Sequence, residues 1–204
     1  MHAILSVVLG YVIGCISPAA WLSKKKHVDL KKEGTGNLGA TNTGLVLGKK
    51  AGIFVLIFDI AKSFFSYKLA RFLFSSLAVA GILASIGTIL GHCFPITMGF
   101  RGGKGLAAFG GMILAYRTWM FFAIIFTGIA LMLITDVGVT APMAGCILFP
   151  VFVYMVGGSM EELCLVLLTS LLVVFLHREN LKLAFAHKDV VGTRDYIRKV
   201  FGSK

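Results

Sequence analysis

Long apolar runs alternate with short polar segments along the whole chain. Several runs reach the ~20 residues that a helix needs to cross a bilayer. The pattern predicts an all-α integral membrane protein with about seven transmembrane helices, built as one polytopic domain over residues 1–204. The seven runs cover residues 3–23, 51–73, 77–91, 106–116, 118–135, 137–156 and 163–176.

Composition supports a membrane protein. The chain is 57% hydrophobic and only 14% charged, whereas soluble domains carry about 25% charged residues. Its net charge of +11 is accounted for by the tendency of lysine and arginine to gather in cytoplasmic loops. We therefore expect a lipid bilayer, and no nucleic acid, as its partner. Residues 2–16 lack a basic leader, which predicts a retained first span rather than a cleaved signal peptide.

Most of the 20 basic residues fall in three polar segments, which are residues 24–50, 92–105 and 177–204. The positive-inside rule places these segments in the cytoplasm. The N-terminus is then outside and the C-terminus is cytoplasmic. Seven spans bring all three segments to one face, whereas a re-entrant run would leave the tail on the other side.

The segment 92–105 contains a glycine-rich basic loop around Lys104. Glycines on both sides of this lysine permit backbone conformations in which N–H groups converge on an anion, and the lysine adds a full positive charge. An ordinary turn with a solvated lysine is the alternative for this loop taken alone. The loop is therefore a candidate phosphate site, whose candidate residues are Lys104, His92, Gly102 and Gly103.

Residues 34–44 form a second cluster, in which glycines alternate with hydroxyl and amide side chains. The cluster contains the G-x-G-x-x-G pattern, but no strand precedes it, so we reject a dinucleotide site. Short hydroxyl and amide groups suit phosphate and polyol oxygens, although a flexible linker has a similar composition. The candidate binding residues are Thr35, Gly36, Asn37, Gly39, Thr41 and Asn42.

Two pairs of polar residues have helical spacing. His177 and Asn180 are three apart and share a helix face. A histidine at a helix end is often only a partner of the helix dipole, but two glycine-rich loops on the same side favour a substrate contact. Asp59 and Lys62 lie within an apolar run, where a neutralised structural pair is favoured over an ion or proton relay.

Several familiar catalytic patterns are absent from the sequence. No histidine is followed five positions later by an acidic residue, and no P-loop occurs. No carboxylates are obviously paired for a metal, so we expect no metal and no cofactor. The inventory of side chains suits a reaction that positions two anionic reactants and uses an activated donor.

The motifs GTGNLGATN, GHCFPITMGFRGGKG and HREN occur in that order. Together with Ile16-Ser17-Pro18 and the Asp59–Lys62 pair, they resemble the bacterial acyl-phosphate-dependent glycerol-3-phosphate acyltransferases (the PlsY family) over nearly the full chain. The resemblance implies acyl transfer from acyl phosphate to the 1-hydroxyl of glycerol 3-phosphate. The products would be lysophosphatidic acid and phosphate, the first step of phospholipid synthesis.

The resemblance also implies roles for individual residues. Thr35 and the amides around Gly36 to Gly39 would hold a phosphate, and Lys104 would neutralise phosphate charge in the transition state. His177 and Asn180 would position glycerol 3-phosphate. The donor's own phosphate would accept the hydroxyl proton. The protein would lie in the bacterial inner membrane with its active site facing the cytoplasm.

Some positions depart from the family pattern. Thr35 replaces the usual serine, and Leu45 stands where an arginine is usual, which forfeits about 1.5–3 kcal/mol of a charged hydrogen bond. A later stretch that is rich in hydroxyl groups in the family keeps only Thr135, Thr140 and Pro142 here, and the tail lacks the usual Gly-Thr-Glu.

Two alternative functions remain. One is a transporter or binding protein for an organic phosphate, in which the Asp59–Lys62 pair couples transport, and the other is an inactive paralogue.

Overall fold

A computed structural model describes residues 1–186, and residues 187–204 of the predicted cytoplasmic tail lie outside the described range. Within residues 1–186 the chain forms ten α-helices and one 3-10 turn, with no strand. The helices are α1 His2–Gly14, α2 Pro18–Lys26, α3 Ala40–Leu47, α4 Lys49–Leu73, α5 Ala80–Cys93, α6 Leu106–Tyr116, α7 Thr118–Thr135, α8 Thr140–Met155, α9 Met160–Leu176 and α10 Arg178–Phe185, and the 3-10 turn is Ile96–Met98.

Each predicted apolar run is mostly helical, although the first run is broken between α1 and α2, and the all-helical prediction is confirmed. Three helical stretches of the described chain are long and apolar enough to cross a membrane, namely His2–Lys26, Ala80–Met98 and Thr118–Thr135. A fourth results if α9 and α10, which are bent by 57° relative to each other, form one span. The count of seven spans and the sidedness of the termini stay predictions.

Glycines allow α1 and α5 to pack closely. A Cβ on Gly87 of α5 would lie 2.9 Å from the main-chain nitrogen of Tyr11, and a Cβ on Gly14 of α1 would lie 2.9 Å from the Cα of Thr88. Small residues permit such backbone contact between membrane helices, where packing rather than water exclusion drives association. The contact brings the end of α5 beside the break between α1 and α2.

The central core lies among α4 to α9. Phe109 of α6 and Phe149 of α8 are fully buried there, with ring centroids 5.8 Å apart and an edge-on angle of 73°. The outer surface is apolar as well, because Phe126 is 66% exposed and Leu168 is 62% exposed. Large apolar surfaces of this kind are favourable against lipid and unfavourable in water.

Candidate active site

The loop that carries Lys104 folds back onto the end of α5. The main-chain N–H groups of Gly102 and Gly103 donate to the carbonyl oxygens of the last two residues of α5, at 3.0 and 3.1 Å. Gly105 has a φ of +80°, which favours glycine, and caps the start of α6. Because the N–H groups of Gly102 and Gly103 are already hydrogen-bonded to α5, anion binding in this loop depends chiefly on the Lys104 side chain.

Lys104 reaches α10. Its Nζ donates a hydrogen bond to Oδ1 of Asn180, which joins the second polar segment to the third. Burial lowers the pKa of Lys104 below the ordinary lysine value, and the neighbouring Glu179 carboxylate partly opposes that shift. A partly desolvated ammonium interacts more strongly with an anion than a solvated one does.

His177 lies at the junction of α9 and α10, with a side chain only 4% exposed. Its Nδ1 is 2.8 Å from the carbonyl oxygen of Val173. Because a carbonyl oxygen only accepts, Nδ1 carries the proton, and Nε2 is the acceptor of the neutral ring. His177 therefore offers a fixed hydrogen-bond acceptor one helical turn before Asn180.

The first polar cluster is shaped by Asn42, which lies on α3 and is fully buried. Its amide nitrogen donates to the carbonyl oxygens of Leu30 and Glu33, at 2.9 and 3.1 Å, and its Oδ1 accepts from the Thr35 N–H at 2.6 Å. All three contacts are with the main chain of the loop. The side chain of Asn42 thus holds the loop in shape, and the exposed Thr35 lies on the outside of that loop.

The first and second polar segments are in contact. A Cβ on Gly103 would lie 3.0 Å from the carbonyl oxygen of Leu38 and 2.9 Å from Cε1 of His92, so only a hydrogen fits there. Lys31 Nζ also donates to the carbonyl oxygen of Met98 at 3.4 Å. Through these contacts and the lysine–asparagine bond, all three polar segments form one surface, which we call the Lys104 site.

A buried cluster of charged and polar side chains lies next to this surface. Lys62 Nζ lies 2.8 Å from Asp59 Oδ1 and 3.0 Å from His92 Nδ1, and that histidine nitrogen lies 3.4 Å from the same carboxylate oxygen. Nδ1 of His92 thus lies within hydrogen-bond distance of both the Lys62 ammonium and the Asp59 carboxylate, and the tautomer of the ring decides whether it accepts from the first or donates to the second. The ring's other nitrogen, Nε2, faces Gly103. His92 thereby links the charged cluster to the loop of Lys104.

Lys62 also completes the break between α1 and α2. Pro18 begins α2 and has no N–H, and the break leaves the carbonyls of Gly14 and Ile16 without helical partners. Lys62 Nζ donates to the carbonyl oxygens of Gly14 and Ile16, at 3.2 and 3.0 Å. Lys62 thus contacts two side chains, those of Asp59 and His92, and two main-chain carbonyls. These contacts support the interpretation of Asp59 and Lys62 as a structural pair rather than a relay.

The remaining candidates surround the site less directly. Leu45 is half-buried on α3. Thr135 and Thr140 donate to the carbonyl oxygens of Leu131 and Val137, each at 2.7 Å, and so bond to their own turns. The other predicted binding residues differ in exposure. Gly36 and Thr41 are exposed, whereas Asn37, Gly39 and Gly102 are half-buried.

Sequence reasoning missed two features of the site. The sequence marks Lys31 only as one of the basic residues of the segment 24–50, and it does not predict the contact of His92 with the Asp59–Lys62 pair. The second carries a weak signal in the sequence, because a charged pair inside an apolar run requires further polar partners. The sequence does not say which residue supplies them.

Comparisons with known proteins identify relatives of this chain. A family model described as glycerol-3-phosphate acyltransferase matches residues 4–187. A glycerol-3-phosphate acyltransferase from Coxiella burnetii is 34% identical over 184 residues, which cover 88% of this chain and 93% of that protein.

Two crystal structures of PlsY (YgiH), an integral membrane glycerol 3-phosphate acyltransferase, have a similar fold. The glycerol 3-phosphate form has a TM-score of 0.81 and 27% identity, covering 92% of this chain and 94% of that one. The lysophosphatidic acid form has a TM-score of 0.86 and 27% identity, covering 97% and 99%.

Proposed function

Because the chain belongs to the glycerol-3-phosphate acyltransferase family, we propose that it acylates the 1-hydroxyl of glycerol 3-phosphate with acyl phosphate as donor. The products are 1-acyl-glycerol 3-phosphate and inorganic phosphate. A solved relative described in glycerol 3-phosphate and lysophosphatidic acid forms supports the acceptor and the product. The donor is inferred from the resemblance of the motifs to those of the acyl-phosphate-dependent family.

The observation that carries the proposal is the contact of Lys104 with Asn180, beside the buried His177. This contact unites a cation, an amide and a neutral imidazole acceptor at one place. We propose that Lys104 stabilises the negative charge that develops on the phosphate as the donor's carbon–oxygen bond breaks. Preorganised donors of this kind stabilise transition states because they need no reorganisation during the reaction.

The acceptor is positioned by the α9–α10 junction in this proposal. Nε2 of His177 accepts a hydrogen bond from a hydroxyl of glycerol 3-phosphate, and the amide of Asn180 binds alongside it. The 1-hydroxyl oxygen forms a bond to the acyl carbon as the bond from that carbon to the phosphate oxygen breaks. The departing phosphate takes the hydroxyl proton, so atoms and charges balance without a side-chain base.

The first polar cluster completes the phosphate site in this proposal. Thr35 and the loop from Gly36 to Gly39 bind phosphate oxygens, with Asn37 and Thr41 beside them. Asn42, His92 and the glycines before Lys104 act by fixing the loops. The engagement of the Asn42 amide by three main-chain groups supports this division between binding and supporting residues.

The proposed location is the bacterial inner membrane, with seven spans and the Lys104 site facing the cytoplasm. Thr97 and Ser75 are exposed beyond opposite ends of α5. Thr97 lies in the 3-10 turn that follows this helix, and Ser75 lies in the segment between α4 and α5. In a cysteine-free background, a membrane-impermeant maleimide applied to intact cells should label Ser75→Cys and spare Thr97→Cys. Labelling of Thr97→Cys alone, or of both, would refute the proposed orientation.

The donor is tested with purified protein, labelled glycerol 3-phosphate and either palmitoyl phosphate or palmitoyl coenzyme A. We expect equal amounts of monoacyl lipid and phosphate with palmitoyl phosphate only. Turnover with the coenzyme A thioester alone would overturn the donor assignment. Uptake of glycerol 3-phosphate into sealed vesicles without lipid formation would replace the enzyme with a carrier.

Lys104 is tested in the same assay. Lys104→Met should lower kcat/KM about 100- to 1,000-fold, the usual effect of removing one transition-state donor. Lys25→Met is the control, because Lys25 is an exposed cation lying over the Trp21 ring on α2. A Lys104→Met enzyme as active as the control would remove Lys104 from the mechanism.

A further inference from the structure

A polar cavity of about 380 Å³ lies away from the Lys104 site. Three cationic side chains line it, those of Lys68, Arg71 and Arg117, together with one carboxylate, Glu162. Tyr67 and Tyr116 add two phenol groups to the wall. The family motifs do not include any of these residues, and the proposed reaction does not use them.

This basic pocket is at the opposite end of the bundle. α6 begins just after Lys104 and ends at the pocket residue Tyr116, and α9 begins beside Glu162 and ends just before His177. At 1.5 Å per residue, the two helices separate the sites by about 15–25 Å. The pocket is therefore too distant to bind the reactants held at Lys104.

The contacts of the pocket residues leave an excess of positive charge. Glu162 Oε2 accepts from the Ser159 N–H at 3.0 Å and from the Tyr116 hydroxyl at 3.5 Å, so this carboxylate is committed to the start of α9. Lys68 Nζ donates to the carbonyl oxygen of Ala115 at 3.1 Å. With three cations facing one carboxylate, the cavity attracts an anion.

The surface next to the pocket is apolar. Phe72 follows Arg71 in α4 and is 80% exposed, and Met155 precedes the pocket residue Val156 and is 71% exposed. Trp119, two residues after Arg117, is 51% exposed. Cations in a cavity bordered by lipid-facing side chains match a ligand that has an anionic head and acyl chains.

We propose that the basic pocket binds the phosphate headgroup of an anionic phospholipid, with its acyl chains lying along the exposed side chains of α4, α7 and α8. The phosphate oxygens accept hydrogen bonds from Lys68, Arg71 and Arg117. This binding is independent of the reaction performed at the Lys104 site. A free phosphate ion has the same headgroup chemistry and is distinguished in the experiment below.

Trp119 is a natural reporter, because the chain has two tryptophans and Trp21→Phe removes the other. The protein is reconstituted in phosphatidylcholine vesicles that contain an equal mole fraction of brominated phosphatidic acid or brominated phosphatidylcholine. Bromine quenches tryptophan fluorescence only at short range. We expect stronger quenching of Trp119 by the brominated phosphatidic acid.

The double variant Arg71→Gln/Arg117→Gln tests the pocket. Each cation near a membrane contributes about 1 kcal/mol toward an anionic lipid, so the preference should fall at least about fivefold. The double variant Lys25→Gln/Lys50→Gln is the control, because it removes the same charge from exposed positions on α2 and α4. It should keep the preference.

Two outcomes overturn the proposal. An equal preference in the pocket variant and the charge-matched control would mean that no specific site exists. Loss of the preference on addition of millimolar inorganic phosphate at constant ionic strength would identify a free-phosphate site instead. Preference that is lost only in the pocket variant, and that persists with inorganic phosphate, supports the lipid site.

Discussion

Gly103→Ala tests how the Lys104 site is held in place. The new methyl group would lie 2.9 Å from Cε1 of His92 and 3.0 Å from the carbonyl oxygen of Leu38. One neighbour is a ring fixed by the Asp59–Lys62 pair, and the other is main chain. Neither yields easily, so the loop itself must move, and Lys104 is the next residue along it.

The size of the effect follows from these contacts. Overpacking by one methyl group costs about 1–3 kcal/mol of stability. A displacement of about 1 Å in a positioned catalytic group costs up to about 100-fold in rate. We therefore expect Gly103→Ala to lower kcat/KM about 10- to 100-fold while the protein remains folded and extractable from the membrane.

The assay is acyl transfer to labelled glycerol 3-phosphate, with thermal unfolding in detergent measured in parallel. Gly138→Ala is the matched control, because among the described residues nothing lies within 4 Å of the added Cβ. Neither Gly103 nor Gly138 has a positive φ, so both variants avoid backbone strain. If kcat/KM of Gly103→Ala matched that of the control, tight packing of this loop would not position Lys104.

Three further predictions concern single side chains. Lys62→Met leaves the Asp59 carboxylate buried without its cation, so it should lower the free energy of unfolding by about 3–5 kcal/mol. The double variant Asp59→Asn/Lys62→Met should recover at least half of that lost free energy, as measured by denaturant titration. Because burial lowers the pKa of Lys104, kcat/KM should fall at alkaline pH with a midpoint below the ordinary lysine value of about 10.4. In Lys104→Arg that alkaline fall should vanish, since a guanidinium stays protonated. Leu45→Arg should lower KM for glycerol 3-phosphate about tenfold, and an unchanged KM would count against the alignment of this position with the family arginine.

The helices were predictable because each is a long apolar run, and apolar runs in a bilayer form helices to satisfy their backbone groups internally. The runs 106–116 and 118–135 match α6 and α7 residue for residue. The break inside the first run was less visible. Pro18 marks it in the sequence, but the carbonyls that it exposes are satisfied by Lys62, a residue from a different helix.

The meeting of the three polar segments was predictable only as a consequence of topology, and their contacts were not. Asn42 illustrates the difference. Its place among glycines and hydroxyl residues indicates a ligand for phosphate, but burial turns its amide toward three main-chain groups. Residue type specifies what a side chain is able to bind, and packing decides whether ligand or backbone occupies it.

The length of α6 relates the fold to the reaction. This helix has 11 residues, or about 16 Å, and polar groups flank both of its ends. In the proposed seven-span arrangement α6 crosses a hydrocarbon core that is about 30 Å thick, so Lys104 and Arg117 reach the two membrane surfaces only where the bilayer thins around the protein. Otherwise one of them lies below the headgroups. In the proposed reaction, a Lys104 site at that depth would meet the reacting carbon of an acyl donor anchored by its chain, and its cations would attract soluble glycerol 3-phosphate to that depth.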